Sequence, residues 1–110
     1  MLKNYKDLKV WQKSYKLCLK IYTITAKFPK EERYGLTSQI RRSVVSIPSN
    51  IAEGYGRKRY KADFVKFLTY SQASCNETIS QLTMISELHF SENPLNQLIE
   101  SYNLLGSKIK

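Results

Sequence analysis

Between residues 8 and 28 apolar side chains recur every three or four positions, and Asp7 stands just ahead of them, where a short acceptor can cap a helix start. The pattern predicts a first helix over 8–28. At about 100° per residue, Val10, Leu17, Ile21, Ile24 and Phe28 fall on one arc, with Trp11, Tyr15, Cys18 and Tyr22 on a second arc beside it. Lys6, Lys9, Lys13, Lys16, Lys20 and Lys27 gather on what remains, in a stripe under about 90° wide. The apolar surface is wider than one bundle core requires. Large amphipathic rings suit a surface covered by a partner, which makes Trp11, Tyr15 and Tyr22 candidates for a subunit interface. A helix buried on two sides within its own fold would show the same pattern.

Pro29 and Gly35 break the period, and Thr37 follows as the expected cap of a second helix. Leu36, Ile40, Val44, Ile47 and Ile51 form one stripe that continues through Pro48. A proline inside a helix lacks the amide proton and clashes with the carbonyl four residues back, at a cost of about 3 kcal/mol or a bend. Because the register survives on both sides, the pattern predicts one proline-kinked helix over 37–53, with Ser49 and Asn50 able to satisfy loosened backbone groups. Gly54 and Gly56 are expected to close it in the left-handed conformation.

A third helix is expected over 60–88. Phe64, Leu68, Ser71, Cys75, Thr78, Leu82 and Ile85 make a heptad-like seam whose middle holds only small or short residues. Such a seam brings helix axes close, and helix one is expected to supply the missing bulk. After "HFSENP", with Ser91 or Asn93 as cap and Pro94 as first helical residue, Leu95, Leu98, Ile99, Tyr102, Leu105 and Ile109 mark a short, less amphipathic fourth helix fraying toward Lys110. No segment alternates convincingly with period two. Short connections between four helices imply an all-α, antiparallel up-and-down four-helix bundle, with residues 1–110 as one domain.

Composition adds a compartment and a partner class. The chain has 110 residues, 42% hydrophobic and 25% charged, with no apolar run near membrane-spanning length and no signal-peptide core at its start, so a cytoplasmic location and no membrane contact are expected. Cys18 and Cys75 lie far apart on apolar faces and read as reduced core residues, and with a single histidine, His89, neither a metal nor a cofactor site is expected. His89 reads as a cation near a helix C-terminus. Charge is uneven: residues 1–66 carry 16 Lys or Arg against 5 Asp or Glu, net +11, whereas residues 67–110 carry 2 against 4, net −2. That asymmetry is the footprint of a polyanion-binding half joined to an architectural half, although lysine also serves as a mere solubilising residue.

The run "GYGRKRYK" places Arg57, Lys58, Arg59 and Lys61 on the connection and on the first turn of the third helix, where positive charge opposes the macrodipole and an anionic partner would relieve it. It is not a Walker pattern and follows no strand. Tyr55 and Tyr60 beside it offer either stacking platforms for unpaired bases or ordinary packing.

The stretches "NYKDLKVWQKSYKLCLKIY", "FPKEERYGLTSQIRRSVVSIPSNIAEGYGR" and "FVKFLTYSQASCNETISQL" resemble the four-helix-bundle family of proteins encoded by intervening sequences in bacterial 23S ribosomal RNA genes, a family that includes the accessory variability protein of diversity-generating retroelements. The resemblance covers nearly the whole chain. It implies a homopentameric barrel of bundles with a basic outside, and retroelement members are thought to bind their reverse transcriptase and nucleic acid through it. By the same resemblance Arg41, Arg42 and Arg57 are candidates for the basic surface, and Arg33, Asn50 and Glu53 for structural residues joining loops or subunits.

A non-enzymatic nucleic-acid binder would contact phosphates through Lys9, Lys13, Lys16 and Lys20 on helix one, with Arg41, Arg42, Arg57, Lys58 and Arg59 from helix two and its exit. A protein-interaction scaffold would instead present the same surface to an acidic or nucleic-acid-bound enzyme such as a reverse transcriptase. An enzyme is disfavoured, because Glu53 has no second acid, histidine or thiol at a spacing that guarantees proximity.

Overall fold

Asn4 and Asp7 fasten a 3-10 turn over Tyr5–Asp7 before the first long helix begins. In the computed structural model, which describes residues 3–89 and 95–109, Asn4 Oδ1 accepts from the Lys6 amide at 2.8 Å. Asp7 Oδ2 accepts from the amides of Lys3 at 2.7 Å and Asn4 at 3.2 Å. The Asp7 carboxylate therefore turns back to the preceding turn. Helix α1 (Lys9–Thr25) starts after Leu8 with no side-chain cap, contrary to the expected role of Asp7. It also ends three residues early, although Phe28 beyond it is buried.

Helix α2 (Leu36–Gly56) follows a second 3-10 turn, Lys30–Glu32. Thr37 does not cap it: the N-cap position is Gly35, and the Leu36 amide donates to Glu32 Oε1 at 3.4 Å, while the buried Thr37 hydroxyl has no hydrogen-bond partner among the described residues. The helix runs unbroken through the buried Pro48, and Ile40, Val44, Ile47 and Ile51 are all fully buried, so the apolar register carries through. Side chains serve the carbonyls around the proline. Asn50 Nδ2 donates to the Ser46 carbonyl at 2.8 Å, and Ser71 Oγ donates to that of Ile47 at 2.9 Å. Gly54 and Gly56 are helical rather than left-handed, since no glycine has positive φ among the described residues. Gly54 is there for space: an added Cβ would lie 3.2 Å from Phe67 Cβ and 3.5 Å from the Phe64 carbonyl.

Helix α3 (Lys61–His89) packs against α2 along the small-residue seam, and α4 (Asn96–Lys108) packs on the other side of α3 and returns to α1. With no strand among the described residues, this is an up-and-down four-helix bundle. Hydroxyls and an amide hold the close α2–α3 approach. Ser43 Oγ donates to Gln81 Oε1 at 2.8 Å and meets Thr78 Oγ1 at 2.9 Å, and one turn away Ser46 Oγ reaches Ser74 Oγ. Helix α1 is not the neighbour that fills the seam: it lies diagonal to α3, and no Cα of one is within 8 Å of the other. The bulk comes from the isoleucines of α2 and from α4, because adjacency in the bundle follows the connections rather than the apolar period. The same separation rules out a Cys18–Cys75 disulfide, and both thiols are free and buried.

Helix α4 is docked more firmly than its pattern suggests. Leu95, Leu98, Tyr102, Leu105 and Ile109 are each at most 4% exposed, so the chain is anchored to Ile109 rather than frayed. Its N-cap position is Leu95; Ser91, Asn93 and Pro94, expected to start it, lie outside the described residues. The fully buried Tyr102 hydroxyl has no hydrogen-bond partner among the described residues. Burial pushes its ionisation up, as it does for Cys18 and for Cys75, the latter to about 12. A buried unsatisfied hydroxyl costs more than it returns. Tyr102→Phe is therefore expected to raise stability by about 1–2 kcal/mol in urea unfolding; a loss of stability would show that the hydroxyl has a partner, such as a buried water.

Candidate nucleic-acid interface

Helix α1 turns Leu17, Cys18 and Ile21 inward, which leaves Lys9, Lys13, Lys16 and Lys20 exposed on the opposite flank. None of the four forms an ion pair among the described residues. From Lys9 to Lys20 the helix rises about 16 Å, roughly the span of five phosphates along one strand of DNA. The antiparallel return of α4 brings Lys108 to this flank, where it lines a shallow depression with Lys9, Lys13 and the apolar Val10, Leu104 and Leu105. Sequence reasoning missed Lys108, because only tertiary packing brings it beside residues a hundred positions away. Glu100 shares a second depression with Lys20 and tempers the positive charge at that end.

The α2–α3 turn is less available than its charge suggests. Arg57 Nε binds Glu53 Oε2 at 2.8 Å, Nη1 lies 3.5 Å from Asp63 Oδ2, and the guanidinium stands 5.1 Å from the Phe67 ring centroid. The Glu53 hydrogen bond raises the Arg57 pKa further above its ordinary value. Lys58 Nζ sits 3.9 Å from the Tyr55 centroid; Arg57 and Lys58 are exposed like Arg59, Tyr60 and Lys61, but their charged groups already have neighbours within the turn. The expected need for an external anion at the start of α3 is thus partly met within the chain, since Asp63 occupies its first turn.

At the far end of α1, Arg41 is also engaged. Its Nε donates to Thr25 Oγ1 at 2.8 Å and Nη2 to the Tyr22 carbonyl at 3.3 Å, with the guanidinium 4.7 Å from the Tyr22 ring centroid. Arg42 is exposed and makes no such contact among the described residues. The antiparallel fold therefore separates the candidate cations: Lys9 and Lys13 share one end of the bundle with the α2–α3 turn, and Arg41 and Arg42 lie toward the other. Of the residues considered for a subunit interface, Trp11 stacks on Tyr15 at 5.1 Å and meets Tyr5 edge-on at 5.2 Å. Tyr15 and Tyr22 are both exposed, Tyr22 with the Arg41 guanidinium against its ring. Arg33 lies 5.8 Å from the Tyr34 centroid, Asn50 serves the Ser46 carbonyl, and Glu53 holds Arg57.

A further polar contact escaped sequence reasoning. His89 Nε2 meets Glu32 Oε2 at 2.8 Å, joining the end of α3 to the turn before α2. The same carboxylate accepts from the Leu36 amide, so it faces the positive end of α2 and a ring at the negative end of α3. The His89 hydrogen bond and then the Leu36 amide hold the Glu32 carboxyl below its ordinary range. A depressed carboxyl pKa contributes stability above the ordinary carboxylate pKa that is lost as pH falls through the depressed value. Glu32→Gln is expected to flatten the acid limb of a stability–pH profile while leaving the shape of the alkaline limb; an unchanged acid limb would sink the assignment.

No helix of the described residues is long and apolar enough to cross a membrane, and they hold no cluster of three or more His, Cys, Asp or Glu able to bind a metal. The family model described as 23S rRNA-intervening sequence protein matches residues 6–110. A comparison with curated proteins finds no match.

Proposed function

The chain belongs to the family of 23S rRNA-intervening sequence proteins, and from that premise we propose that it is a non-enzymatic, self-associating basic protein of the cytoplasm that binds RNA or DNA through phosphate contacts. One observation carries the proposal: four lysines of α1 share one exposed flank and none is paired with a carboxylate among the described residues. Lysines neutralised inside the fold would release no counterions on binding. Free ones exchange condensed cations for phosphates, and affinity then falls steeply with salt while base preference stays small.

The exposed ring of Tyr15 stacked on Trp11 supplies an amphipathic face for self-association on the α2 side of α1, away from the lysines. Association into the homopentamer that the family resemblance implies would repeat the lysine flank around the assembly and turn weak patches into avidity. The committed carboxylates fit this non-catalytic role, since Glu53 is bound to Arg57 and Glu32 to His89.

The test is a salt titration of RNA and DNA binding by the chain of residues 1–110. A steep linear fall of log K with log salt, similar for unrelated sequences, is expected. Absence of binding to either nucleic acid at low salt would overturn the proposal and turn attention to an acidic protein partner.

A further inference from the structure

Away from the lysine flank, a cleft opens where the end of α1 meets the start of α2. It is made of two adjoining depressions that share Arg33, Tyr34, Thr37 and Arg41; Lys30 lines one, Tyr22 and Arg42 line the other, and no carboxylate lines either. Of the two acids between Lys30 and Arg33, Glu31 lines no part of the cleft and Glu32 is turned away to His89 and the Leu36 amide. Two features set this cleft apart from a merely solvated basic patch. Tyr34 is 89% exposed, so its ring has a free face although Arg33 stands near it. Arg41 is already fixed by Thr25, the Tyr22 carbonyl and the Tyr22 ring, so Nη1 is held in place with little side-chain entropy left to lose.

We infer that this cleft takes an unpaired nucleotide of a single strand, its phosphate on Arg41 and Arg42 and its base stacked on Tyr34. The chemistry is complementary. A phosphate needs cations without a competing carboxylate, and an aromatic face accepts any base once that base has left its own stack. Bases inside a duplex are stacked on each other and cannot reach Tyr34, so the cleft gives a preference for single-stranded or looped nucleic acid that the lysine flank, which meets only phosphates, does not. The inference rests on the nucleic-acid binding proposed above and adds the form of nucleic acid preferred.

The experiment compares a fluorescent oligouridylate with an RNA duplex of equal length, each titrated with the wild-type chain, Tyr34→Ala and Tyr34→Phe. Being almost wholly exposed, Tyr34 can be replaced without disturbing the core, and thermal unfolding of each variant checks this. Loss of one base stack is expected to weaken single-strand binding of Tyr34→Ala by about 5- to 150-fold, with Tyr34→Phe close to wild type and duplex binding unchanged in both. Wild-type binding to both probes with Tyr34→Ala unaffected on the single strand would overturn the cleft alone. An equal loss on strand and duplex would do the same. A wild-type chain that binds neither probe would overturn the phosphate-binding proposal, and the cleft with it.

Discussion

Alanine at Lys9, Lys13, Lys16 and Lys20 together is expected to reduce the slope of log K against log salt by about 3 to 4, since each phosphate neutralised contributes roughly 0.7 on a single strand and 0.9 on a duplex. Near 0.1 M salt that corresponds to a loss of affinity on the order of 10³-fold. The four side chains are exposed and form no ion pair among the described residues, and alanine is the best helix former, so α1 has no structural reason to fail. Unchanged circular dichroism would confirm that the loss comes from the surface. The informative comparison is the triple variant Arg57→Ala, Lys58→Ala, Arg59→Ala. It removes nearly as much formal charge, but Arg57 is tied to Glu53 and Asp63 and Lys58 rests on Tyr55. Its slope is expected to change by about 1, chiefly from Arg59. Should the lysine variant retain the wild-type slope, or the turn variant lose more than it does, the α1 flank is not the phosphate surface.

The four-helix architecture was legible because amphipathic spacing is a local property. Leu17 and Ile21, Val44, Ile47 and Ile51, Leu82 and Ile85, Tyr102 and Leu105 all reach the core that their spacing assigned them. The lysine flank was legible for the same reason, since a side chain's position around its own helix depends only on sequence separation. The caps were not. Asp7 and Thr37 are suitable residue types in suitable places, but a carboxylate or hydroxyl chooses among nearby amides by geometry, and Asp7 turned to the preceding turn while Glu32 served Leu36 in place of Thr37. Charge satisfaction was illegible too. Arg41 finds its partners 16 and 19 residues away, and His89 finds Glu32 at a separation of 57, distances over which spacing carries no information. The candidate cations were therefore identifiable as a set, but which of them remained uncommitted was a tertiary fact.

Gly54 offers the sharpest test of how the bundle positions its basic turn. The glycine permits α2 to approach the start of α3 so closely that an added Cβ would stand 3.2 Å from Phe67 Cβ, 3.4 Å from Phe64 Cδ1 and 3.5 Å from the Phe64 carbonyl. The approach to Phe67 Cβ is tight, and that atom yields only if the helix itself moves, whereas the distances to Phe64 are ordinary contacts that leave no room beyond the Cβ for a larger side chain. Gly54→Leu must therefore push α3 away or distort it, and a net destabilisation of about 3 kcal/mol is expected after the gain in helix propensity is counted. Gly56, two residues on in the same helix, has nothing within 4 Å of an added Cβ, so Gly56→Ala gains propensity without obstruction and should stabilise by about 0.5–1 kcal/mol. Opposite shifts of the urea midpoint at two glycines of one helix would separate close packing from chain entropy. The displacement also moves Phe67, on whose ring Arg57 rests, and so loosens the clasp between Arg57, Glu53 and Asp63. If Gly54→Leu unfolds at the wild-type urea concentration, α2 and α3 do not depend on that contact, and the turn that carries Arg57, Lys58 and Arg59 is held by something other than the glycine-sized gap beneath it.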